Sequence, residues 1–291
     1  MAYSTNRKDI IGKFWDNNGD KYKNKFDGIE YAVKAAVGDL TERTLKKKEN
    51  VENYPTTEGA KVKELQDKGF IEEIEQYFNK GAIEQEAFDS WHNDACKIVE
   101  NALSKYYYNW AYGKAQKVVN MTLKYVYCLD WAKDCREHFK YCHIPLDSYT
   151  LEWIVRNVFD KNLKDGRVGK NGKELNAIKG LVDSWSNLKF KLDDENIKKD
   201  EKYPYIYFVK WIREYFNNPE KSSDYSGLFP LEAEFYIWKE IQLHIVLEGI
   251  LNYFGKGKQT KDDLLKKLQN VNSLITEKIA ELTNNHLTSR K

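Results

Sequence analysis

The residues near the middle of the chain whose types could do chemistry are cysteines and histidines. Cys128, Cys135 and Cys142 recur every seven residues, with His138 and His143 close by. Thiolates and imidazoles are natural ligands of Zn²⁺, so one interpretation is a zinc site, for which the adjacent pair Cys142 and His143 is the best candidate. A seven-residue spacing on one helix, however, places sulfur atoms ~10 Å apart, too far to share one ion. We therefore interpret the cysteines as small buried thiols and expect no metal and no cofactor.

The peptide HIPLD, residues 143–147, places an imidazole, a proline and a carboxylate at a corner between two predicted helices. Local polar pairs are common at turns, so we expect His143 and Asp147 to tie this corner together by hydrogen bonding and helix capping. A catalytic Asp147 is the alternative. Nucleophilic catalysis would need a serine or cysteine beside a base, and no G-x-S-x-G elbow is present. Spacing alone therefore assigns no catalytic residue.

Two glycine-rich stretches match phosphate-binding templates only in part. In GRVGKNGKE, Gly166 and Gly172 are one residue too far apart for a P-loop, and Glu174 replaces the metal-binding hydroxyl. In FGKGKQ, Lys256 stands where the turn of helix-hairpin-helix proteins carries an aliphatic residue. We interpret the first stretch as a solvated loop or short hairpin and the second as a glycine cap that ends a helix.

Aromatic residues are unusually frequent, with 20 Tyr, 13 Phe and 8 Trp, and they cluster in the ranges 106–112, 203–211 and 235–238. Adjacent residues on a helix point about 100° apart, so the members of such a cluster cannot all face one core. Burial between helices on two sides is one interpretation, and a protein-binding surface is the other. On the second interpretation the candidate partner-binding residues are Tyr107, Trp110, Tyr205, Tyr207 and Trp211.

Apolar residues recur at helical spacing along most of the chain. The predicted fold class is mainly α, a multi-helix globular protein with a long central helical body and at most a minor β-hairpin. The predicted organisation is a helical N-terminal region (1–83), a helical core (84–259) and a C-terminal amphipathic helix (260–291). The predicted helices of the first two parts are 29–48, 58–78 with a break near Gly69, two helices between 84 and 141 that meet near Gly113, one capped by Asp147 or Ser148, then 175–188, 205–216 and 230–254.

Composition restricts the partners and the compartment. The formal net charge is +2, from 47 basic and 45 acidic residues, so no global field attracts nucleic acid or an anionic membrane. The N-terminus lacks a signal-type apolar region, and no run approaches the ~18 apolar residues of a membrane span. With four cysteines and no signal peptide, reduced thiols are expected. We therefore expect a soluble, cytoplasmic protein with no membrane partner and no direct nucleic-acid binding.

A group of bacterial and phage proteins of comparable length is similar to this chain at GKAQKVVNMTLKYVY, CHIPLDSYTLEW and FPLEAEFYIW. Within that group, the size, helical character and Lys- and Tyr-rich composition resemble the phage-encoded anti-Gabija family, which blocks a bacterial immune complex made of a nuclease and a helicase-like subunit. The resemblance covers most of residues 84–255. It implies a non-enzymatic anti-defence inhibitor that forms a homo-oligomer around this host defence complex and prevents DNA binding and cleavage.

A second resemblance rests on two shorter pieces, K-x-x-N-M-x-L-K-Y at residues 117–125 and H-I-P-L-D at 143–147. Both resemble pieces of oxoguanine-glycosylase-like proteins of the helix-hairpin-helix class. This resemblance implies a nucleic-acid enzyme that releases damaged bases, relying here on Asp147 and on the lysines between Gly166 and Lys173. A third interpretation is a structural subunit of a larger assembly.

Overall fold

The computed structural model describes residues 3–12, 24–40, 45–108, 110–158, 185–190 and 203–254, with side chains in the last range described to residue 243. Within these ranges the chain is mainly helical, which confirms the predicted fold class, and the one β pairing there is an isolated bridge between Lys47 and Tyr107. The same ranges contain nine α-helices: α1 (Arg7–Ile11), α2 (Lys25–Gly38), α3 (Glu58–Asp67), α4 (Phe70–Asn79), α5 (Gln85–Leu103), α6 (Tyr112–Tyr127), α7 (Ser148–Asn157), α8 (Tyr205–Phe216) and α9 (Pro230–Phe254).

Helix α6 is buried on nearly all sides. Every residue in it except Tyr112 and Tyr125 is buried, and its main neighbours are α2 and α5. The predicted apolar stripe accounts for part of this burial. The rest is unexpected, because α6 also buries six polar side chains, each of which costs free energy unless it finds a partner: Lys114, Gln116, Lys117, Asn120, Thr122 and Lys124.

The N-terminal helices pack on α6 rather than apart from it. Helix α2 contacts α6 as well as α3 and α4, through the predicted face that includes the buried residues Ile29, Val33 and Val37. The chain divides into two compact units, Met1–Lys239 and Glu240–Lys291, and the boundary falls within α9. The expected boundary at residue 83 is therefore not a boundary between compact units. The predicted C-terminal helix 260–291 lies outside the described residues.

Local signals placed most helix ends correctly. Gly69 adopts a positive φ of 81° between α3 and α4, as the predicted break requires, and Thr57 caps α3 by accepting from the Ala60 N–H. Two helices end earlier in the sequence than predicted. Helix α2 ends at Gly38 rather than Lys48, and α6 ends at Tyr127, after which Asp130–Phe139 forms 3₁₀ turns. The predicted helix 175–188 and the loop 162–174 lie outside the described residues, apart from a short turn at Trp185–Asn187.

The membrane expectation concerns helix length and hydropathy. Among the residues that the structure describes, no helix combines the length and the apolar character that a bilayer span requires.

The segment 185–190 lies unusually close to the start of α6. A Cβ atom built at Gly113 would lie 1.8 Å from the carbonyl oxygen of Trp185, so only glycine permits this approach. The Gly113 N–H donates to the Leu188 carbonyl (2.9 Å), and Lys114 Nζ donates to the Ser186 carbonyl (2.8 Å). The glycine that the sequence analysis assigned to a helix junction thus also admits a distant segment.

Substitution of Gly113 tests this packing. Gly113→Ala should lower the free energy of unfolding by about 2 kcal/mol or more, because the added methyl group overlaps backbone atoms that cannot rotate away. Chemical denaturation measures the effect. Gly81→Ala is the matched control, since nothing lies within 4 Å of a Cβ at that position. Equal stability of the two variants would show that segment 185–190 does not pack against α6.

Candidate functional site

Asp147 is the N-cap of helix α7, and its carboxylate is held by backbone N–H groups of the first turn of that helix. Its Oδ1 accepts hydrogen bonds from the N–H groups of Tyr149 (2.9 Å) and Thr150 (3.1 Å), and its own N–H donates to Thr150 Oγ1 (2.8 Å). This is a complete capping box, which confirms the predicted capping role of Asp147. Because Oδ1 is used in the cap, Oδ2 is the oxygen left to face other parts of the molecule.

Lys117 from the second turn of α6 meets that second oxygen. Its Nζ lies 3.8 Å from Asp147 Oδ2, and the side chains of the two residues are 11% and 13% exposed. The Trp185 ring covers the same ammonium group, with its centroid 4.5 Å from Nζ. A cation over an indole face is attracted by the ring quadrupole, so carboxylate and ring together hold the amine. An amine and a carboxylate thus face each other close to the surface.

His143 does not pair with Asp147, contrary to the expectation for this corner. Its Nε2 lies 2.9 Å from Asp89 Oδ1 on α5, and its Nδ1 lies 2.8 Å from the Tyr205 hydroxyl on α8. Arg213 donates to both oxygens of Asp89, at 2.7 and 2.6 Å. The two-pronged arginine–carboxylate contact fixes the orientation of Asp89, and Asp89 in turn orients the imidazole.

Hydrogen-bonding contacts link Asn120, Tyr205, His143 and Asp89 in one chain. The Tyr205 oxygen lies 3.1 Å from Asn120 Nδ2 and 2.8 Å from His143 Nδ1, and its hydroxyl can donate to that ring nitrogen. His143 Nε2 faces both Asp89 Oδ1 (2.9 Å) and Arg213 Nη2 (3.2 Å), so it can donate to the carboxylate or accept from the guanidinium.

His92 joins the same network from α5. Its Nε2 lies 2.7 Å from Asn120 Oδ1, and because that oxygen can only accept, Nε2 carries the proton. Its Nδ1 accepts from the Tyr112 hydroxyl at 3.3 Å. The rings of His92 and His143 lie 4.4 Å apart between centroids. Two imidazoles therefore share one buried cluster.

Burial sets the charge of this network. It lowers the pKa of His92 and, together with Arg213, the pKa of His143, so both rings are neutral near pH 7. Burial would raise the pKa of Asp89, but hydrogen bonds from Arg213 and His143 outweigh it and hold that pKa well below its usual range. Burial also raises the pKa of the Tyr205 phenol. The network thus contains one ion pair among neutral groups.

A pocket of about 320 Å³ opens beside this network. Its lining includes the polar side chains of Asp89, His143 and Arg213 and the aromatic rings of Phe190 and Tyr205. A second pocket of about 190 Å³ adjoins the first, since both are lined by His143 and Arg213. These three polar side chains already bond to one another, so the arrangement holds them in place.

The predicted partner-binding aromatics divide into two groups. Tyr107 and Tyr205 are each 1% exposed, which corrects the expectation that they lie at a contact surface. Tyr107 packs beside Trp110, and Tyr205 belongs to the histidine network. Trp110, Tyr207 and Trp211 are half-buried, and their role in binding a partner stays a prediction.

Three of the four cysteines are buried thiols. Burial raises the pKa of Cys128 to about 12 and also raises the pKa values of Cys96 and Cys142, so these thiols stay protonated and poorly nucleophilic. Cys135 is half-buried. In the ranges that the structure describes, no group of three or more His, Cys, Asp or Glu side chains is placed to hold a metal ion.

Comparison of the chain with protein-family models, with curated proteins and with solved structures finds no match in any of the three. The function is therefore argued from geometry.

Sequence reasoning missed most residues of these two clusters, among them Lys117, Asp89 and Arg213. Lys117 had a usable signal, because polar residues crowd the first turns of a helix that is otherwise apolar on several faces. Asp89 and Arg213 had none, since they lie 124 residues apart and their pairing depends on the folded chain.

The neutral histidines make stability depend on pH. In the unfolded chain both should titrate near an ordinary pKa of about 6.5, so the unfolded state binds more protons than the fold below that pH. The contribution of these histidines to the free energy of unfolding should therefore be complete above about pH 6.5. It should fall as the pH decreases, by up to about 1.4 kcal/mol per pH unit for each histidine. Chemical denaturation between about pH 8 and about pH 5 measures this slope.

Two variants assign the slope to the network. His92→Asn should flatten it, because one of the two histidine contributions is removed. His138→Asn is the control, since His138 bonds to the Lys80 carbonyl outside the network. An unchanged slope in His92→Asn would show that His92 is not a buried neutral group.

Proposed function

We propose that the chain is a DNA-glycosylase-like enzyme that releases a damaged base from nucleic acid, with Lys117 and Asp147 as the reacting groups. The observation that carries the proposal is the 3.8 Å approach of Lys117 Nζ to Asp147 Oδ2. These residues are the first of the piece at 117–125 and the last of HIPLD, the two pieces that resemble glycosylase-like proteins. The fold brings together two residues that the resemblance placed apart in sequence.

An amine beside a carboxylate suits displacement at the sugar carbon that bears the base. The unprotonated amine of Lys117 would attack this carbon, so that a carbon–nitrogen bond to lysine forms as the bond to the base breaks. Asp147 would take the proton that the lysine must first lose, and that proton is then available to the departing base. Once that proton has passed to the base, the Asp147 carboxylate is negative again and would stabilise the positively charged adduct of sugar and lysine. The base must leave the helical stack to reach this pair.

The lysines between Gly166 and Lys173, on which the sequence interpretation relied, lie outside the described residues. Lys117 takes their place as the amine in this proposal. Its side chain is 11% exposed, and helix α6 and the Trp185 ring over its amine hold it in position. The proposal also replaces the expectation that the chain does not bind nucleic acid directly.

Two conservative substitutions test the pair. Lys117→Arg keeps the charge but removes the nucleophilic amine, and Asp147→Asn keeps the shape but removes the proton acceptor. Each should lower the rate of base release from a duplex with a single 8-oxoguanine by about 100-fold or more. Loss of a proton and opening of the sugar ring would convert the lysine adduct to an imine, so reduction with borohydride should link wild-type protein covalently to this DNA and should fail with Lys117→Arg.

Lys97→Arg is the matched control, because Lys97 forms an exposed pair with Asp94 (2.8 Å) and should keep full activity. Base release that is undiminished in both Lys117→Arg and Asp147→Asn would reject the proposed roles. Absence of base release by the wild-type protein from a panel of oxidised and alkylated bases would reject the glycosylase proposal itself.

An anti-defence inhibitor that binds and oligomerises around a Gabija complex is the second candidate. The observation that favours it is an aromatic cluster on α8 and the residues before it. The Trp211 ring lies 4.8 Å from Tyr203 and 5.9 Å from Tyr207, and the neighbouring Ile206 is 44% exposed. Aromatic rings of this kind supply much of the binding energy in protein interfaces.

Alanine substitution tests this second candidate. Trp211→Ala should raise the Kd for a reconstituted Gabija complex about tenfold, because it removes a large contact from the cluster. Co-elution with that complex should weaken accordingly. Size-exclusion chromatography with light scattering at two salt concentrations measures it. Tyr108→Ala is the control, because Tyr108 is 47% exposed and outside the cluster. If the wild-type chain elutes separately from the complex, the inhibitor proposal is rejected.

A further inference from the structure

The residue before Lys117 is joined directly to the residue before Asp147. We propose that Gln116 is a positioning residue that sets the distance between the Lys117 amine and the Asp147 carboxylate. The inference rests on the proposed function, because it assigns a role to the distance between the two reacting groups. It concerns a side chain that would not itself touch the substrate.

The contact is a two-way amide pair. The side-chain Nε2 of Gln116 donates to the Leu146 carbonyl at 2.8 Å, and the Leu146 N–H donates to Gln116 Oε1 at 3.2 Å. Gln116 is fully buried and Leu146 nearly so, which means that water does not compete for these groups. The register between α6 and the HIPLD segment is therefore fixed one residue away from each reacting group.

Asn120, one turn further along α6, makes a second tie to the same segment. Its Nδ2 donates to the Ile144 carbonyl at 3.2 Å and to Gln116 Oε1 at 2.9 Å. Gln116 Nε2 also donates to the Gly113 carbonyl at 2.9 Å. A flipped Gln116 amide would bring its oxygen against two carbonyl oxygens, so only one orientation satisfies every group. The two ties hold the segment at alternate residues.

We call the hydrogen bonds from Gln116 and Asn120 to residues 144–146 the clamp. The geometry of the Lys117–Asp147 pair indicates that this clamp affects the rate of base release. At 3.8 Å, Lys117 and Asp147 are near each other but not in a short hydrogen bond, so a further shift would separate them. Misplacement of a reacting group by about 1 Å can cost about 100-fold in rate. Loss of the clamp should therefore lower kcat and leave KM nearly unchanged, because Gln116 is buried and does not face the DNA.

Gln116→Met is the test variant, since methionine has a similar length and no hydrogen-bonding amide. The matched control is Thr122→Val on the same helix. Thr122 is fully buried and its hydroxyl has no hydrogen-bond partner among the residues that the structure describes, so its removal changes a buried polar group of α6 without touching residues 144–147. Both variants are first checked for folding by circular dichroism and thermal unfolding.

Two readouts separate positioning from mere stability. Base release on the 8-oxoguanine duplex should show kcat lower by about 10- to 100-fold in Gln116→Met, with KM changed less than about twofold. Acylation of Lys117 by an amine-reactive ester, followed by mass spectrometry, should be several-fold faster in Gln116→Met, because Asp147 no longer holds the amine. Thr122→Val should match the wild-type protein in both readouts.

The outcomes distinguish this inference from the proposed function. Wild-type activity that depends on Lys117, together with an unchanged kcat in Gln116→Met, would overturn the positioning role and leave the glycosylase proposal standing. Acylation of Lys117 at the wild-type rate in Gln116→Met would overturn the role even if no base were released. If Gln116→Met does not fold, amide hydrogen exchange on the wild-type protein decides: slow exchange at the Leu146 N–H is expected, and rapid exchange would overturn the clamp.

Discussion

Burial of the polar residues on α6 is the constraint on which the rest of the described structure depends. A helix that is enclosed on nearly every side gains apolar contacts, but each buried polar side chain costs free energy unless it finds a partner. The partners come from segments far apart in sequence. They are the Ser186 carbonyl for Lys114, the Leu146 backbone for Gln116, Asp147 for Lys117, His92 and Tyr205 for Asn120, and Glu234 for Lys124.

Side chains that leave α6 in different directions contact two different clusters. Gln116 and Asn120 lie one turn apart on the helix and face the neutral histidine network, whereas Lys117 projects about 100° away toward Asp147. The Lys117–Asp147 pair and the neutral imidazoles thus both depend on side chains of α6 without sharing hydrogen bonds. Because the same amides also bind the backbone before Asp147, the histidine network and the lysine pair are mechanically joined.

The sequence predicted what depends on neighbouring residues. Helical spacing located α2 and α6, and capping preferences placed the start of α7 at Asp147 or Ser148, of which Asp147 is the cap. It failed where a partner is distant. Nothing near Lys117 reveals that Asp147 will face it, and the chemical types of Asp89 and Arg213 leave open which of the chain's many charged residues each will meet.

The aromatic residues show the same limit. Composition established that many rings exist, and the geometry of a helix required that some face away from the core, but neither decides which ones. Tyr205 was expected at a surface and instead closes the hydrogen bonds between His143 and Asn120. Trp211, on the same helix, stays half-buried. The difference follows from the direction each side chain takes from α8, which depends on how that helix packs.

A comparison within α6 shows why one lysine pair is a better candidate for chemistry than another. Lys124 and Glu234 lie 2.5 Å apart and are each 1% exposed, and burial raises the pKa of Glu234. That pair is sealed, so no substrate can reach it, and each charge neutralises the other. Lys117 and Asp147 are farther apart, at 3.8 Å, and their side chains are 11% and 13% exposed. Replacing a buried ion pair by apolar residues is often neutral or stabilising, so stability alone gives little reason to keep a looser pair beside solvent. Reactivity toward a substrate supplies such a reason.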